Sequence, residues 1–336
     1  MRTVDLRSDT VTRPTPAMLQ AMLTAPVGDD VLGDDPSVIA LEAEAARLTG
    51  KADALFTPSG TMANQIAIRC WTRPGDEVIV EAGAHPFHYE SGGPAAISGV
   101  TLRPVQGERG ILDPSATWAA IKGGPPWVAP STLLCVEDTA NAGGGSVYPL
   151  ATLDALGQGA WDHGLHSHLD GARLFNAVVA SGETAFRRCR HFESVTFCLS
   201  KGLGAPAGSV LCGPAGFIHQ ARRVRKMLGG AMRQAGYLAG AGLHALSHHV
   251  DRLADDHRRA RALYDGLAAQ GWDVAPPETN MLYVGGADMQ RVAAELAQAG
   301  VLAIPVSAES LRLVTHLDVD DGGVERCIAA LGACRG

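Results

Sequence analysis

Residues 194–204 read SVTFCLSKGLG, an apolar run followed by a serine, a lysine and glycines. The run predicts a buried strand over 194–199. Further strands are predicted at 53–57, 77–81, 132–137, 165–170 and 208–212, with helices at 60–71 and 150–163. Short apolar strands separated by helices are typical of a mostly parallel sheet with helices on both faces, so we predict an α/β fold.

The pattern changes after about residue 233. Helices are predicted at 234–248 and 250–270, followed by strands near 281–284 and 311–316 and by helices near 288–299 and 321–333. This order predicts a smaller C-terminal α+β unit. A length of 336 residues also suggests about two domains. We place the large domain at 1–245 and the small domain at 246–336.

Composition excludes several classes of protein. Hydrophobic residues make up 46% and charged residues 19%, as in an ordinary soluble globular protein. The formal net charge of −7 disfavours a nucleic-acid surface. No apolar stretch approaches the length of a membrane span, and the N-terminus lacks the apolar core of a signal peptide. The seven cysteines form no CxxC pair, so we expect reduced thiols, no metal site and a cytoplasmic location.

Familiar catalytic motifs are missing from the sequence. It contains neither of the glycine-rich phosphate motifs, G-x-x-x-x-G-K-[ST] and G-x-G-x-x-G, nor a G-x-S-x-G elbow or an HExxH pair. This disfavours an NTPase, a dehydrogenase, an α/β-hydrolase and a zinc protease. In an open α/β sheet, ligands bind at the carboxyl ends of the strands, so the residues after each predicted strand are the candidates.

Three predicted strands end in residues that suit one cofactor. Ser59, Gly60 and Thr61 precede a helix, whose free N–H groups and dipole favour a phosphate, although Ser59 could be a plain helix cap. Asp170 could hold a protonated pyridine nitrogen, although Asp170 and Arg173 could form a simple ion pair. Lys201 follows an apolar strand, where desolvation would make its amine nucleophilic. In this order the three features are the layout of a fold-type I pyridoxal-5′-phosphate (PLP) enzyme.

Longer motifs carry a resemblance to a known family. They read VDLRSDTVTRP at 4–14, GDDVLGDDP at 28–36, DGAR at 170–173, LSKGLG at 199–204, GGAMRQ at 229–234 and LRLVTHLD at 311–318. Over nearly its whole length the chain resembles the L-threonine aldolases of the β-eliminating lyase group. The resemblance implies a homotetramer of close dimers that cleaves β-hydroxy-α-amino acids to glycine and an aldehyde.

The resemblance also implies roles for individual residues. Lys201 would carry PLP as a Schiff base, Asp170 would pair with its ring nitrogen, and His85 would stack on the ring and serve as a candidate base. Ser59, Gly60, Thr61 and Ser200 would hold the phosphate. Ser8, Arg173 and Arg312 would bind the substrate carboxylate, which brings the N-terminal segment 1–15 near the site. Lys226 and Arg233 would reach across a dimer interface, Arg233 towards the cofactor.

The chain departs from the family pattern at three positions. Ala140 and Trp127 stand where relatives carry histidines, and Leu32 stands where many carry a tyrosine. We therefore expect a more apolar pocket around the β-substituent, with a preference for bulky groups such as that of phenylserine. His166, His168, His248 and His249 have no motif support. Two other interpretations remain open: another PLP lyase, such as a β-eliminating enzyme, or a PLP-binding protein that has lost turnover.

Overall fold

The computed structural model describes residues 3–334. The strands in these residues are β1 (Val4–Asp5), β2 (Asp53–Thr57), β3 (Glu77–Glu81), β4 (Thr101–Val105), β5 (Ser131–Glu137), β6 (His166–Gly171), β7 (Ser194–Cys198), β8 (Ser209–Gly213), β9 (Asp273–Val274), β10 (Met281–Gly285), β11 (Val301–Leu302), β12 (Ile304–Pro305) and β13 (Ser310–Val314). The α-helices are α1 (Pro16–Leu23), α2 (Pro36–Thr49), α3 (Gly60–Trp71), α4 (His85–His88), α5 (Pro114–Ala119), α6 (Leu150–Asp162), α7 (Leu174–Ser181), α8 (Ala185–Cys189), α9 (Ala215–Met227), α10 (Gly236–His248), α11 (Leu253–Ala269), α12 (Met289–Gln298) and α13 (Asp321–Ala333). Short helical turns lie at Asp9–Val11 and Pro94–Ser98.

The large unit is built on a seven-stranded sheet with the order β2-β8-β7-β6-β5-β3-β4. Strand β8 runs antiparallel to both of its neighbours, and the other strand pairs are parallel. The predicted α/β class and mostly parallel sheet are confirmed. As a result β2, β5, β6 and β7 all end at the same edge of the sheet.

Helices cover both faces of this sheet. In β5, Leu134 and Val136 belong to the core that α6 and α10 help to close, whereas Leu133 and Cys135 pack with residues of α3 on the other face. Successive residues of a strand point to opposite faces, so an unbroken apolar strand needs cover on both sides. This two-sided burial explains why the sequence of β5 is apolar throughout instead of alternating.

The C-terminal unit contains an antiparallel sheet with the order β12-β13-β10-β9. Helices α11, α12 and α13 close its separate core, through residues such as Leu263, Leu296 and Leu331. The first residues of the chain join this unit: β1 pairs with β11, and Val4 and Leu6 are buried in its core. The predicted large domain, 1–245, included these residues. They pack with the C-terminal unit instead, because the apolar side chains of Val4 and Leu6 are buried in its core. The boundary at residue 245 stays a prediction.

The helices and the cysteines can be compared with what the composition predicts. No helix within residues 3–334 is long and apolar enough to span a bilayer. The seven cysteines are free thiols, and six of them are buried.

Candidate active site

A cavity of about 1100 Å³ opens at the carboxyl ends of the central strands. Most of the predicted site residues line it: Ser8, Ser59, Gly60, Thr61, His85, Asp170, Arg173, Ser200, Lys201 and Arg312. They come together because β2, β6 and β7 end at one edge of the sheet, where the C-terminal unit supplies Arg312 from β13. Arg233 and Lys226 are predicted residues that do not line this cavity.

The start of α3 forms one wall of the cavity. Ser59 is its N-cap, with Oγ accepting the N–H of Met62 at 3.2 Å, so the plain helix-cap interpretation and the cavity-wall interpretation both hold. A Cβ at Gly60 would lie 2.8 Å from Sγ of Cys198 on β7. Only glycine therefore lets α3 begin this close to the sheet. The free N–H groups of a helix start beside the hydroxyls of Ser59, Thr61 and Ser200 fit a phosphate group.

Asp170 lies near the end of β6 and is buried. Its Oδ2 accepts a hydrogen bond from Asn64 Nδ2 at 2.7 Å, and its Oδ1 accepts the N–H of Ala172 at 3.0 Å. These two donors fix the orientation of the carboxylate. A buried carboxylate facing a cavity suits a protonated ring nitrogen.

Lys201 follows β7 and lines the same cavity. Its carbonyl oxygen accepts a hydrogen bond from Thr12 Oγ1 at 2.9 Å, so the N-terminal segment holds the lysine loop in place. The amine, the Asp170 carboxylate and the phosphate-compatible start of α3 thus share one cavity. The residues present fit PLP, which needs all three.

Two arginines converge near one acceptor. Arg173 and Arg312 each place Nη1 3.3 Å from Oδ1 of Asn141, a neutral amide. Arg312 Nε is buried without a hydrogen-bond partner. Asn141 is neutral, and Arg312 has no carboxylate partner among the described residues, so its charge and its free Nε suit a carboxylate.

Asp9 holds the other edge of Arg173. Both of its carboxylate oxygens accept guanidinium hydrogens, from Nε and Nη2, at 2.7 Å. Burial alone would raise the pKa of Asp9, but the charge and hydrogen bonds of Arg173 outweigh it and lower that pKa to about 2. Arg173 therefore has a fixed orientation in which Nη1 remains on the side of Asn141. Ser8, next to Asp9, is buried and accepts hydrogen bonds from Thr10.

Two carboxylates position His85 at the start of α4. The backbone N–H of His85 donates to Glu137 Oε2 at 2.7 Å, and its ring Nδ1 lies 2.9 Å from Glu90 Oε1. Burial lowers the pKa of His85, but the hydrogen bond to Glu90 and the charges of Asp170 and Glu90 raise it above its usual value. With Nδ1 bonded to Glu90, Nε2 is the ring nitrogen left for other partners.

Glu137 is a cavity residue that the sequence analysis did not select. It ends β5, lies in register beside Asp170, and accepts the N–H groups of His85 and Asn141. Burial, followed by the charge of Asp170, raises the pKa of Glu137 to about 7. The rule that selected Asp170, an acid at the end of a buried strand, applies equally to Glu137.

Other site contacts were missed for different reasons. Asp9 stands within the motif at 4–14 and Asn141 directly follows Ala140, but nothing in the sequence shows that they contact the arginines. Asn64 lies one helical turn after Gly60, so helical spacing places it on the same face of α3. Glu90 has no signal in the sequence because its role depends on how the chain folds after α4.

Several predicted residues lie away from this cavity. Arg233 is exposed and its Nη1 donates to Asp29 at 3.0 Å, whereas Lys226 and Leu32 line a second cavity of about 430 Å³. Trp127 is 82% exposed, and Ala140 is buried. Neither Trp127 nor Ala140 is among the residues that line the main cavity, so their side chains do not make it more apolar directly.

Comparison with known proteins places this site in a family. The model of the beta-eliminating lyases matches residues 5–288. The probable low-specificity L-threonine aldolase 2 of Arabidopsis thaliana is 44% identical over 338 residues, covering 97% of this chain and 95% of the relative. The low specificity L-threonine aldolase of Escherichia coli strain K12 is 44% identical over 318 residues and 94% of each chain.

A solved structure supports the fold independently. The threonine aldolase of Leishmania major superposes with a TM-score of 0.86 at 21% identity, covering 99% of this chain and 100% of that one. The predicted resemblance is confirmed, and with it a fold-type I PLP enzyme. The chain belongs to the beta-eliminating lyase family and, within it, to the low-specificity L-threonine aldolases.

Proposed function

We propose that this chain is a PLP-dependent aldehyde-lyase that reversibly cleaves L-threonine, L-allo-threonine and related β-hydroxy-α-amino acids to glycine and an aldehyde. One observation carries the proposal: a lysine, a buried aspartate and two converging arginines line one cavity. The names of the two aldolase relatives support the same reaction.

Each part of the cofactor has a matching group in the cavity. Lys201 would bind the aldehyde carbon, Asp170 the ring nitrogen, and Ser59, Gly60, Thr61 and Ser200 the phosphate. When bound, PLP acts as the electron sink for the charge left at Cα when the Cα–Cβ bond breaks. Asp170 favours that role because its two donors hold the carboxylate in one orientation.

Arg173 and Arg312 would bind and orient the substrate carboxylate. Their Nη1 atoms meet at Asn141 Oδ1, and Ser8 lines the same cavity. Two guanidiniums on one carboxylate restrict rotation of the amino acid about Cα. Holding the bond to be broken in a fixed orientation can lower the activation barrier by roughly several kcal/mol.

His85 would take the proton of the β-hydroxyl through Nε2. Its Nδ1 is bonded to Glu90, which fixes the ring and strengthens the base. A positioned general base typically contributes roughly 10²–10⁴-fold to the rate. In this chain Ala140 and Trp127 leave those two positions without a histidine, so His85 would act alone or through a held water.

A second candidate is an aldolase that prefers bulky β-substituents. The supporting observation is the size of the cavity, about 1100 Å³, whose lining includes the apolar side chains of Pro276, Pro277 and Val306. PLP would take up part of this volume, and the remainder is what is open to the substrate. A kcat/KM for phenylserine well above that for threonine is the expected result, and comparable values would reject this candidate.

We further propose a homotetramer of close dimers in the cytoplasm. Exposed apolar residues on α1, α2 and α10, with Lys226 and Arg233 nearby in sequence, suit a surface covered by a second copy. Arg233 and Lys226 would then act on the partner's site. The predicted partner is thus the chain itself, together with a small amino-acid substrate.

The test combines a spectrum with product trapping. The purified protein should show an absorption band of bound PLP in the visible range, lost in Lys201→Ala. L-threonine, L-allo-threonine and L-phenylserine are then supplied separately and the aldehyde is trapped. Aldehyde release supports the aldolase assignment, bound PLP without aldehyde from any substrate moves the reaction to another PLP lyase, and failure to bind PLP rejects both.

A further inference from the structure

A row of buried hydrogen bonds runs through the core behind Asp170. Trp71 Nε1 donates to Ser194 Oγ at 2.8 Å, and Ser194 Oγ lies 2.9 Å from His168 Nδ1. His168 Nε2 lies 3.2 Å from Asn64 Oδ1, and Asn64 Nδ2 donates to Asp170 Oδ2 at 2.7 Å. The row therefore connects the Trp71 indole, at the end of α3, to Asp170, the predicted partner of the ring nitrogen.

The hydrogen bonds that Asn64 donates to carboxylates determine the direction of donation along this row. Asn64 turns its Oδ1 to His168, so the proton of the neutral ring must be on Nε2 and Nδ1 must accept. Ser194 therefore donates its hydroxyl proton to His168 Nδ1 and accepts from the Trp71 indole. Burial lowers the pKa of His168 to about 4, so the ring is neutral and its remaining N–H, on Nε2, points at Asn64 Oδ1. That bond fixes the amide with its NH₂ group towards Asp170.

The side-chain amide of Asn64 donates hydrogen bonds to two carboxylates. Besides Asp170, Nδ2 donates to Glu90 Oε1 at 2.9 Å. Glu90 Oε1 is also the atom that meets His85 Nδ1. Turning the amide over would place its oxygen against two acids, so Asn64 can serve this position in one orientation only.

We propose that Asn64 is a positioning residue that links Asp170 to the Glu90–His85 pair, and that His168 and Ser194 fix the direction in which its amide faces. The inference rests on the proposed role of Asp170 at the ring nitrogen. Asn64, Glu90, Asp170 and His168 are all almost fully buried, so water cannot replace a lost donor without cost. His168, which had no motif support in the sequence, thereby gains a role.

The expected consequence concerns the proton shared between Asp170 and the ring nitrogen. Glu90 and Glu137 lie close to Asp170 and repel its negative charge, whereas the hydrogen bond from Asn64 stabilises it. Without that bond Asp170 Oδ2 is no longer held in place, so its ion pair with a protonated ring nitrogen weakens and the ring nitrogen loses its proton more readily. The cofactor would then be a weaker electron sink and would bind less tightly.

The test uses the holoenzyme loaded with PLP that carries ¹⁵N at the ring nitrogen. The ¹⁵N NMR signal reports whether that nitrogen is protonated, which loss of packing alone would not change. We expect a protonated signal in the wild type and a shift towards the unprotonated position in Asn64→Leu. The Kd for PLP should rise about tenfold, since a hydrogen bond to a charged group is worth roughly a factor of ten or more.

Neighbouring residues supply matched variants. Gln65→Leu removes a buried amide of the same helix that donates to Glu90 but not to Asp170, and it should keep the wild-type signal. His168→Leu should shift the signal in the same direction as Asn64→Leu, whereas His168→Gln, which can still donate to Asn64, should not. These variants also test the proposal should Asn64→Leu fail to fold.

The outcomes separate this inference from the function on which it rests. A protonated wild-type signal that stays unchanged in Asn64→Leu and in His168→Leu would overturn the inference alone. An unprotonated wild-type signal, or no binding of PLP, would instead overturn the assignment of Asp170 and the proposed cofactor site.

Discussion

Asp9 determines which face of Arg173 meets the cavity. Its two oxygens hold Nε and Nη2, so Nη1 is left on the side of Asn141 and Arg312. Asp9→Asn removes the negative charge and weakens the hydrogen bonds to Arg173, so the guanidinium group can rotate. We expect KM for threonine to rise about tenfold or more, since hydrogen bonds between charged groups are worth roughly 1.5–3 kcal/mol. Steady-state kinetics would measure this, with PLP content unchanged.

Asp5 provides the control for that substitution. It lies on the same N-terminal segment but pairs with the exposed Arg7 near the surface. Exposed pairs of this kind contribute little, so Asp5→Asn should leave KM unchanged. Equal effects of the two substitutions would show that the segment as a whole matters and not the grip of Asp9 on Arg173.

His85 should make kcat/KM depend on pH, and Glu90 influences the pH at which that change occurs. If neutral His85 takes the substrate proton, kcat/KM rises as pH passes upwards through its raised pKa. Glu90→Gln removes the negative charge and weakens the hydrogen bond that raise this pKa. The acid limb of the pH profile should therefore move to lower pH. His88→Gln, which alters a neighbouring ring bonded to the Ala82 carbonyl, should leave the limb in place. A limb that does not move in Glu90→Gln would assign the base to another group.

Site residues that directly follow an apolar strand could be predicted from the sequence. Residues that matter because they bond to another site residue could not. Lys201 and Asp170 follow apolar strands, which is visible in the sequence. Asp9 and Glu90 matter because of Arg173 and His85, to which they are bonded across 164 and five positions of the chain. No local pattern records such a pairing.

At the level of elements, the junction of α3 with β7 controls the shape of the predicted phosphate site. A Cβ at position 60 would lie 2.8 Å from Cys198 Sγ, too close for van der Waals contact. Gly60→Ala must therefore push the start of α3 away from the sheet. We expect Kd for PLP to rise about tenfold, the effect of losing roughly one hydrogen bond to a charged group. Titration of the apoenzyme with PLP would measure it.

The cause of that effect can be isolated by a second substitution. Cys198→Ala removes the sulfur that the new methyl group meets, so the double variant Gly60→Ala, Cys198→Ala should recover most of the affinity. Cys198→Ala alone should bind PLP like the wild type. No recovery in the double variant would mean that glycine is needed at position 60 for close approach of the ligand and not for packing.

The predicted elements agree closely with the structure, but helices α2 and α9, which each have a buried face, were not predicted. The strands at 53–57 and 77–81 and the helix at 60–71 have the predicted bounds. Strand β4 was missed because it forms the edge of the sheet, with Thr101 and Pro104 exposed and no continuous apolar run. The two-residue strands β1, β9, β11 and β12 are too short to show a period, and only tertiary pairing defines them.

At the scale of the whole molecule, the N-terminal segment ties the two units together at the site. Strand β1 pairs with β11 in the C-terminal unit, and a few residues later Asp9 binds Arg173 and Thr12 binds the lysine loop of the large unit. The sequence motif at 4–14 indicated that the segment matters through its resemblance to the family. It could not show this connection, since each contact joins residues far apart in the chain.

The proposed assembly can be tested on the apolar face of α1 and α2. Leu23 and Ile39 are 75% and 52% exposed, and both helices pack on α10, where Tyr237 is also exposed. A face of this kind costs free energy in water unless a second copy covers it. The double variant Leu23→Asp, Ile39→Asp would place charges there. We expect the wild type to sediment as a tetramer and the variant as a smaller species with weaker PLP binding, because Lys226 and Arg233 would no longer reach a partner's site.

Trp161 provides the matched control for this prediction. It is 72% exposed on α6, a helix outside that face, so Trp161→Asp changes an equally exposed apolar residue without touching the proposed contact. Its sedimentation and PLP affinity should match those of the wild type. A monomeric wild type, or a double variant that still sediments as a tetramer, would rule out this face as the interface. Arg233, held by Asp29 in its own chain, would then have no cofactor to bind.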